Sequence, residues 1–475
     1  MESLLSSNII KNSNIAFGTS GARGLVRDFT PEVCAAFTVN FLQVISSRFT
    51  ASRVAIAIDN RPSSYAMAQA CAVAAQSLGY QVMYFGVTPT PALAFYAMQQ
   101  QIPAIMITGS HIPFDRNGLK FYRPDGEISK DDELAILRID VKVEMPARLP
   151  VLHATTEANE QYIHRYLSIF DNGALKGMRI GIYEHSSAGR DIYPAIFSGL
   201  GADVIRIGRS DEFVPIDTEA VSEEDKARAL EWVAQYQLDA LFSTDGDGDR
   251  PLLSDENGIW LRGDILCFLC SLHLDIDVVA IPVSCNSAIA ESKLFKHVEL
   301  TKIGSPYIIE SFEQLTKTYN RVAGFEANGG YLLGSDIIYS GATLKALPTR
   351  DAVLPALVLL ISSIKRKISD QVQALPARFT ASDRLQNFAK EKSTMLLDMI
   401  TSQPEDSLTF LGLGASRIVC VNMLDGIRMV LNTGDIVHLR PSGNAPELRC
   451  YSESDSALKA AQLVALCLKN IHEKL

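Results

Sequence analysis

No segment of this 475-residue chain is both apolar and long enough to cross a bilayer. The run AVLPALVLLISSI (352–364) falls short of the roughly 20 residues a spanning helix needs. The longer run 265–285 is interrupted by His273, Asp275 and Asp277. The opening stretch MESLLSSNIIKNSNIAFG has neither a basic start nor a long apolar core. No secretory signal is read, and a reduced cytoplasm is the expected address. Basic charge is scarce too: 44 Lys and Arg against 54 Asp and Glu give a formal charge of −10. Such a chain has no general attraction for nucleic acid or an anionic membrane, although a local basic pocket remains compatible. The 8 cysteines are scattered, which excludes a disulfide framework. Cys267 and Cys270 form a CxxC inside ILCFLCSL, but a zinc site needs a second ligand pair and none lies nearby. This pair reads as part of a core helix.

What is present suits several globular domains: 47% hydrophobic and 21% charged residues in a chain too long for one core. Six short apolar runs end abruptly in polar or glycine-bearing turns. They are RVAIAIDNR (53), PAIMITGSH (103), RIGIYEHSSAGR (179), DALFSTDGDGDR (239), VVAIPVSCNS (278) and RVAGFEANGG (321). Runs of this kind suit strands buried on both faces, the normal condition in a parallel sheet. Helix-compatible stretches such as SYAMAQACAVAAQSLG and EEDKARALEWVAQYQ lie between them. The runs form three successive pairs, and the second member of each ends in the more unusual loop. This predicts three similar α/β domains in series. Ligands of open α/β sheets bind beyond the carboxyl ends of strands, so one cleft is expected to collect the three loops. The last hundred residues differ. Alternating segments with turns at Asp425-Gly426 and Thr433-Gly434 precede the amphipathic SALKAAQLVALCLKNIHEKL, which predicts a C-terminal α+β domain with an antiparallel sheet. The expected domains are 1–150, 151–260, 261–375 and 376–475.

The loop STDGDGDR sets Asp245, Asp247 and Asp249 at alternate positions between glycines. Three carboxylates so close repel one another unless a cation sits among them, and hard oxygen ligands select Mg²⁺, Ca²⁺ or Mn²⁺. An EF-hand is excluded. Its sixth position needs glycine and here is Arg250, and a strand precedes the loop where a helix is required. Three protein ligands leave a Mg²⁺ ion short of its usual six, which implies a phosphate partner. Arg250 is placed to grip the same anion. Near the C-terminus, LRPSGNAPELR brings Arg440, Ser442, Gly443, Asn444 and Arg449 together. It suits either a phosphate cradle or a turn with two solvated arginines. FGTSGARG (17–24) adds a small-residue loop with Arg23.

Together these loops resemble the α-D-phosphohexomutase superfamily, over nearly the whole chain and in the family order. FGTSGARG resembles GTxGxRG, and TGSHIPFDRNGLKFY resembles the phosphoserine loop TASHNPxxxNGxK. DGDGDR matches the metal loop unchanged. FEANGG lies where the sugar-reading GExSGH belongs, and RPSGNAPELR resembles the phosphate loop RxSGTEPxxR. Its TSGARG and HSSAGR stretches are most similar to bacterial phosphomannomutase and phosphoglucomutase members. There are departures: Gly109 for Ala, Ile112 for Asn, Asn328 for Ser, Gly330 for His, and Asn444 and Ala445 for Thr and Glu.

The resemblance implies three α/β domains plus a smaller fourth, and Ser110 as phosphoryl carrier. Mg²⁺ would be held by Ser110, Asp245, Asp247 and Asp249. A hexose 1-phosphate would dock on Arg440, Ser442, Gly443, Asn444 and Arg449 and accept the phosphoryl group at its 6-hydroxyl. A hexose 1,6-bisphosphate is the intermediate and activator. Lys120, just past the turn expected at Asn117-Gly118, is the candidate acid–base, and His111 helps or orients Ser110. Glu326 and Asn328 read sugar hydroxyls, and Arg23 and Arg250 hold the phosphoserine or substrate. Mannose is the first expected hexose, glucose the second and an amino sugar the third. A Mg²⁺-dependent hydrolase with Asp245 as nucleophile and a non-catalytic sugar-phosphate sensor are the competing readings. No nucleic acid or membrane partner is expected, and the sequence leaves the oligomeric state open.

Overall fold

The computed structural model describes residues 5–143, 148–442 and 447–475. All six quoted apolar runs form strands, and the members of each pair lie side by side and parallel. Ala55 faces Ala104 in the first sheet, Phe242 faces Ile182 in the second, and Ala280 faces Gly324 in the third. Strands Ala104–Ile107, Ala240–Thr244 and Val278–Pro282 are buried at every position, which is why they read as continuous apolar runs.

Each of the three unusual loops is the turn from a parallel strand into an antiparallel return strand. Ala104–Ile107 turns into Arg116–Arg123, Ala240–Thr244 into Pro251–Leu253, and Val322–Phe325 into Tyr331–Leu333. The alternation of strand and helix predicts the parallel pairs but carries no sign of these reversals. Asn117-Gly118 also differs from expectation. It lies within the strand Arg116–Arg123, not at a turn. Glycine is needed there for close packing: a Cβ would sit 2.7 Å from the Ala22 carbonyl oxygen and 2.9 Å from that of Thr108. Asn117 donates to Ser63 and Ser64 hydroxyls at 2.8 and 3.0 Å.

The fourth sheet is antiparallel, in the order Phe379–Leu385, Leu448–Ser454, Ile436–Pro441, Ile427–Leu431, Ile418–Asn422. The closing helix Ala457–Lys474 packs on it. Each sheet falls inside one of the four expected stretches. The cores do not divide as cleanly. One buried apolar cluster takes in Ala92 of the first unit and runs from Tyr162 to Ile368, joining the second and third units across residue 260. Cys267 and Cys270 are fully buried in its helix Gly263–His273. Among the described residues, no helix is long and apolar enough to cross a membrane.

Two histidines are locked neutral inside this frame. His185 Nε2 donates to the Thr244 carbonyl at 2.9 Å, and His438 Nε2 to that of Asp425 at 2.6 Å. The Nδ1 atom of each is buried without a hydrogen-bond partner. Burial pushes both down to about 4. An unfolded histidine titrates near 6.5, so the stability these rings contribute is complete above about pH 6.5 and is lost as pH falls toward 4. Replacing His185 by Gln should therefore flatten the decline in melting temperature between pH 6.5 and 4. An unchanged slope would mean that His185 is not among the groups driving acid unfolding.

Candidate active site

Ser110 sits at the tip of the first loop with φ of 57°, a left-handed conformation that non-glycine residues seldom adopt. The surrounding groups fix it there. Its N–H donates to Thr108 Oγ1 at 2.8 Å, and its carbonyl accepts from Arg61 Nη2 at 2.9 Å. The same guanidinium donates to the carbonyls of Ile112, Pro113 and Arg116 at 2.5, 2.8 and 3.0 Å. Asp59, just past the strand Arg53–Ile58, accepts from Arg61 Nε and from Thr108 Oγ1 at 3.1 and 2.7 Å. A buried ion pair thus shapes the whole loop. Sequence reasoning passed over Asp59 and Arg61 because they ended a strand without a distinctive motif.

The Ser110 hydroxyl donates to Asp245 Oδ2 at 2.5 Å. Asp245, Asp247 and Asp249 are fully buried and offer carboxylate oxygens within 4.8 Å of one another. Burial, then repulsion by Asp247 and Asp249, pushes the Asp245 carboxyl well above the usual range. Burial alone would raise Asp247 and Asp249 too, but the Lys120 ammonium beside Asp247 and the Arg350 guanidinium beside Asp249 hold both below it. Lys120 Nζ donates to Asp247 Oδ2 and Asp249 Oδ2 at 2.5 and 2.8 Å. Asp247 Oδ1 and Asp249 Oδ1 are buried without any hydrogen-bond partner. Three hard oxygen donors, two of them carrying unused oxygens, fit a divalent cation of the Mg²⁺ class.

A cleft of about 260 Å³ lies above this cluster and takes residues from all four units, among them Arg23, His111, Arg250, Glu326, Arg440 and Arg449. Ser110 and Lys120 do not line it. They are buried beneath, at 0% and 2% exposure. His111 Nδ1 accepts from Arg250 Nη1 at 2.8 Å. Burial and the Arg250 charge push this imidazole down to about 3, so it is a neutral acceptor that orients Arg250. Arg23 is lowered to about 10 by burial and by Arg250.

In the loop that follows Val322–Phe325, Asn328 Oδ1 accepts from the Gly330 N–H at 3.0 Å, and its Nδ2 donates to Glu326 Oε2 at 3.5 Å. Glu326 Oε2 accepts from Arg350 Nη1 at 3.1 Å. In the last unit, Arg440 pairs with Asp425 at 2.8 Å, and Arg449 Nε is buried without a partner. Ser442 also lines the cleft. Gly443 and Asn444 lie outside the described residues. Arg350, Asp217 and Glu219 join the cleft without having been singled out from the sequence. Arg350 stands in LPTRDAV and the acidic pair in VPIDTEA, where no glycine turn or charge cluster marks them.

Known proteins share this sequence pattern and fold. The family model described as phosphoglucomutase/phosphomannomutase α/β/α domain I matches residues 14–144, and that of domain II matches 160–258. A phosphomannomutase of Salmonella muenchen is 58% identical, covering 98% of each chain. A phosphomannomutase of Sinorhizobium fredii is 40% identical, covering 94% of this chain and 97% of its own. A solved structure from Thermus thermophilus shares the fold with a TM-score of 0.76 at 22% identity, covering 97% and 99% of the two chains. With that similarity along nearly its full length, the chain belongs to the phosphoglucomutase/phosphomannomutase family of phosphohexose mutases.

Proposed function

We propose that this protein interconverts hexose 1-phosphate and hexose 6-phosphate through a phosphoserine at Ser110, with mannose as the preferred sugar. The observation that carries the reading is the strained, buried Ser110 with its hydroxyl 2.5 Å from a three-carboxylate cluster, beneath an arginine-lined cleft. The names of the two relatives favour mannose. We assign the four units to 1–150, 151–260, 261–375 and 376–475, each supplying one loop.

Arg440, Ser442 and Arg449, with Gly443 and Asn444, hold the phosphate already on the sugar. Glu326 and Asn328 accept from and donate to ring hydroxyls. The sugar 6-hydroxyl then faces the phosphoryl group on Ser110. A new bond from that oxygen to phosphorus forms as the Ser110 Oγ–P bond breaks. Lys120 first releases its ammonium proton to solvent, then as the neutral amine takes the hydroxyl proton and returns it to the departing serine oxygen. Arg250, oriented by His111, and Arg23 hold the equatorial phosphoryl oxygens. Held by Asp245, Asp247 and Asp249 with an oxygen on Ser110, Mg²⁺ would neutralise charge developing on the transferring group. The hexose 1,6-bisphosphate then turns end for end and returns its other phosphate to Ser110. The same bisphosphate, supplied from outside, would prime unmodified enzyme. Because Ser110 is fully buried, its loop and the metal loop must part for this exchange.

Phosphorus NMR tests the reading. Purified protein with Mg²⁺ and a trace of hexose 1,6-bisphosphate is given mannose, glucose or N-acetylglucosamine 1-phosphate in separate tubes. A 6-phosphate signal growing fastest with mannose is expected. Inorganic phosphate alone would make the protein a hydrolase, and silence in every tube a sensor. Ser110→Ala should lower kcat by about 10³-fold or more while leaving a cooperative melt. Activity near wild type would remove the serine from the reaction. Lys120→Ala should cost on the order of 10²-fold in kcat, the scale of a lost acid–base group. A wild-type rate in that variant would leave the proton to another group.

A further inference from the structure

Arg350 is the largest fully buried side chain among the described residues, and its partners come from three units. On the strand Leu347–Asp351, its Nε and Nη2 lie 3.0 and 2.9 Å from Asp249 Oδ2 in the metal loop. Its Nη1 donates to Glu326 Oε2 at 3.1 Å in the sugar loop and to Ser305 Oγ at 3.0 Å. Its Nη2 also reaches Ser20 Oγ, at 3.3 Å, in the first small-residue loop. Ser305 and Thr349 in turn donate to Glu127 of the first sheet, at 2.9 and 2.7 Å. One planar fork therefore fixes the distance between a metal-loop carboxylate and a sugar-loop carboxylate.

The room for this fork comes from Gly330. A Cβ there would stand 2.5, 2.6 and 2.9 Å from Arg350 Cδ, Cγ and Cβ. The arginine stem cannot coexist with a side chain at 330 without moving. A side chain at 330 and the arginine stem at 350 would occupy the same space.

We propose that Arg350 is a positioning residue that clamps Glu326 to Asp249, coupling the sugar-reading loop to the metal loop, and that Gly330 admits it. The effect on turnover rests on the mutase reading; the clamp itself does not. Arg350 also places a positive charge against a metal-loop carboxylate, so it competes with the cation that carboxylate would bind.

The test uses full-length protein freed of metal by chelation. Mg²⁺ is titrated calorimetrically into wild type, Arg350→Met and Arg350→Lys, and kcat is measured for each. For Arg350→Met, we expect Mg²⁺ binding tighter by about tenfold, because a competing charge is gone. We also expect kcat lower by about 10²-fold, because Glu326 is no longer held. Arg350→Lys should restore wild-type Mg²⁺ affinity but only part of kcat, since a point charge cannot bridge as the fork does. A merely structural arginine would weaken both together on removal, and weaker or unchanged Mg²⁺ binding in Arg350→Met overturns the proposal. A cycle of Gly330→Ala, Arg350→Ala and the double variant covers the possibility that one variant melts. Gly330→Ala should lower kcat and the metal-free melting temperature on its own, and add little when Arg350 is already Ala. Fully additive losses overturn the coupling. Should wild type turn over no hexose phosphate, the mutase reading fails, while the Mg²⁺ titration and the melting cycle still decide the clamp.

Discussion

Three aspartate carboxylates within 4.8 Å of one another and out of contact with water set the terms for everything around them. At an effective dielectric constant near 20, each ionised pair at that separation repels by about 3 kcal/mol. The fold answers with cations brought from elsewhere in the chain: Lys120 from the first sheet, Arg350 from the third, and Arg250 from the loop itself. Asp245, farthest from that compensation, is the one whose carboxyl is raised. Two of the compensating cations come from other units, so the metal loop is complete only when those units meet. The site is an interunit structure first and a loop motif second.

Ser110 shows the same dependence on a smaller scale. A left-handed serine is strained by roughly 1–3 kcal/mol, and it persists only where its surroundings over-determine it. Arg61 supplies that constraint with bonds to four carbonyls of one loop, and Asp59 fixes Arg61 in turn. The strain aims the hydroxyl at Asp245. Positioning and electrostatics are what phosphoryl transfer asks of a protein, and both arise here from buried ion pairs.

The parts of this arrangement legible in the sequence were those with local patterns. Doubly buried strands gave continuous apolar runs, and DGDGDR gave its carboxylates through spacing alone. Two of the return strands were missed because PLL and YLL are too short to show a period. Lys120 was singled out, but its setting was misread: Asn117-Gly118 is a common turn signal, and here tertiary packing against the Ala22 and Thr108 carbonyls claims the glycine instead. Arg61 and Arg350 were illegible for a different reason. Each is a single charged residue whose meaning comes from partners far away in sequence, and no spacing rule encodes a contact such as Arg350 to Ser20. The division into units was also only partly visible, since an apolar pattern marks what is buried and not which neighbour buries it. The shared core from Tyr162 to Ile368 is the consequence.

Burial of Ser110 also bears on why, under the proposed mechanism, it would pass a phosphoryl group to a sugar and not to water. A phosphoserine facing open solvent is exposed to hydrolysis at every turnover. Ser110 and Lys120 are buried, while His111 and Arg250 form part of the cleft wall, so in the proposed reaction water would reach the transferring group only when the loops part. In the proposed reaction, a hexose phosphate would supply what water lacks, a phosphate for Arg440 and Arg449 and hydroxyls for Glu326 and Asn328. Its binding energy is available to hold the four units together around the transfer. A mutase and a hydrolase can share the same carboxylates and the same serine; what separates them is whether the cleft closes on the acceptor, and that depends on the contacts between units.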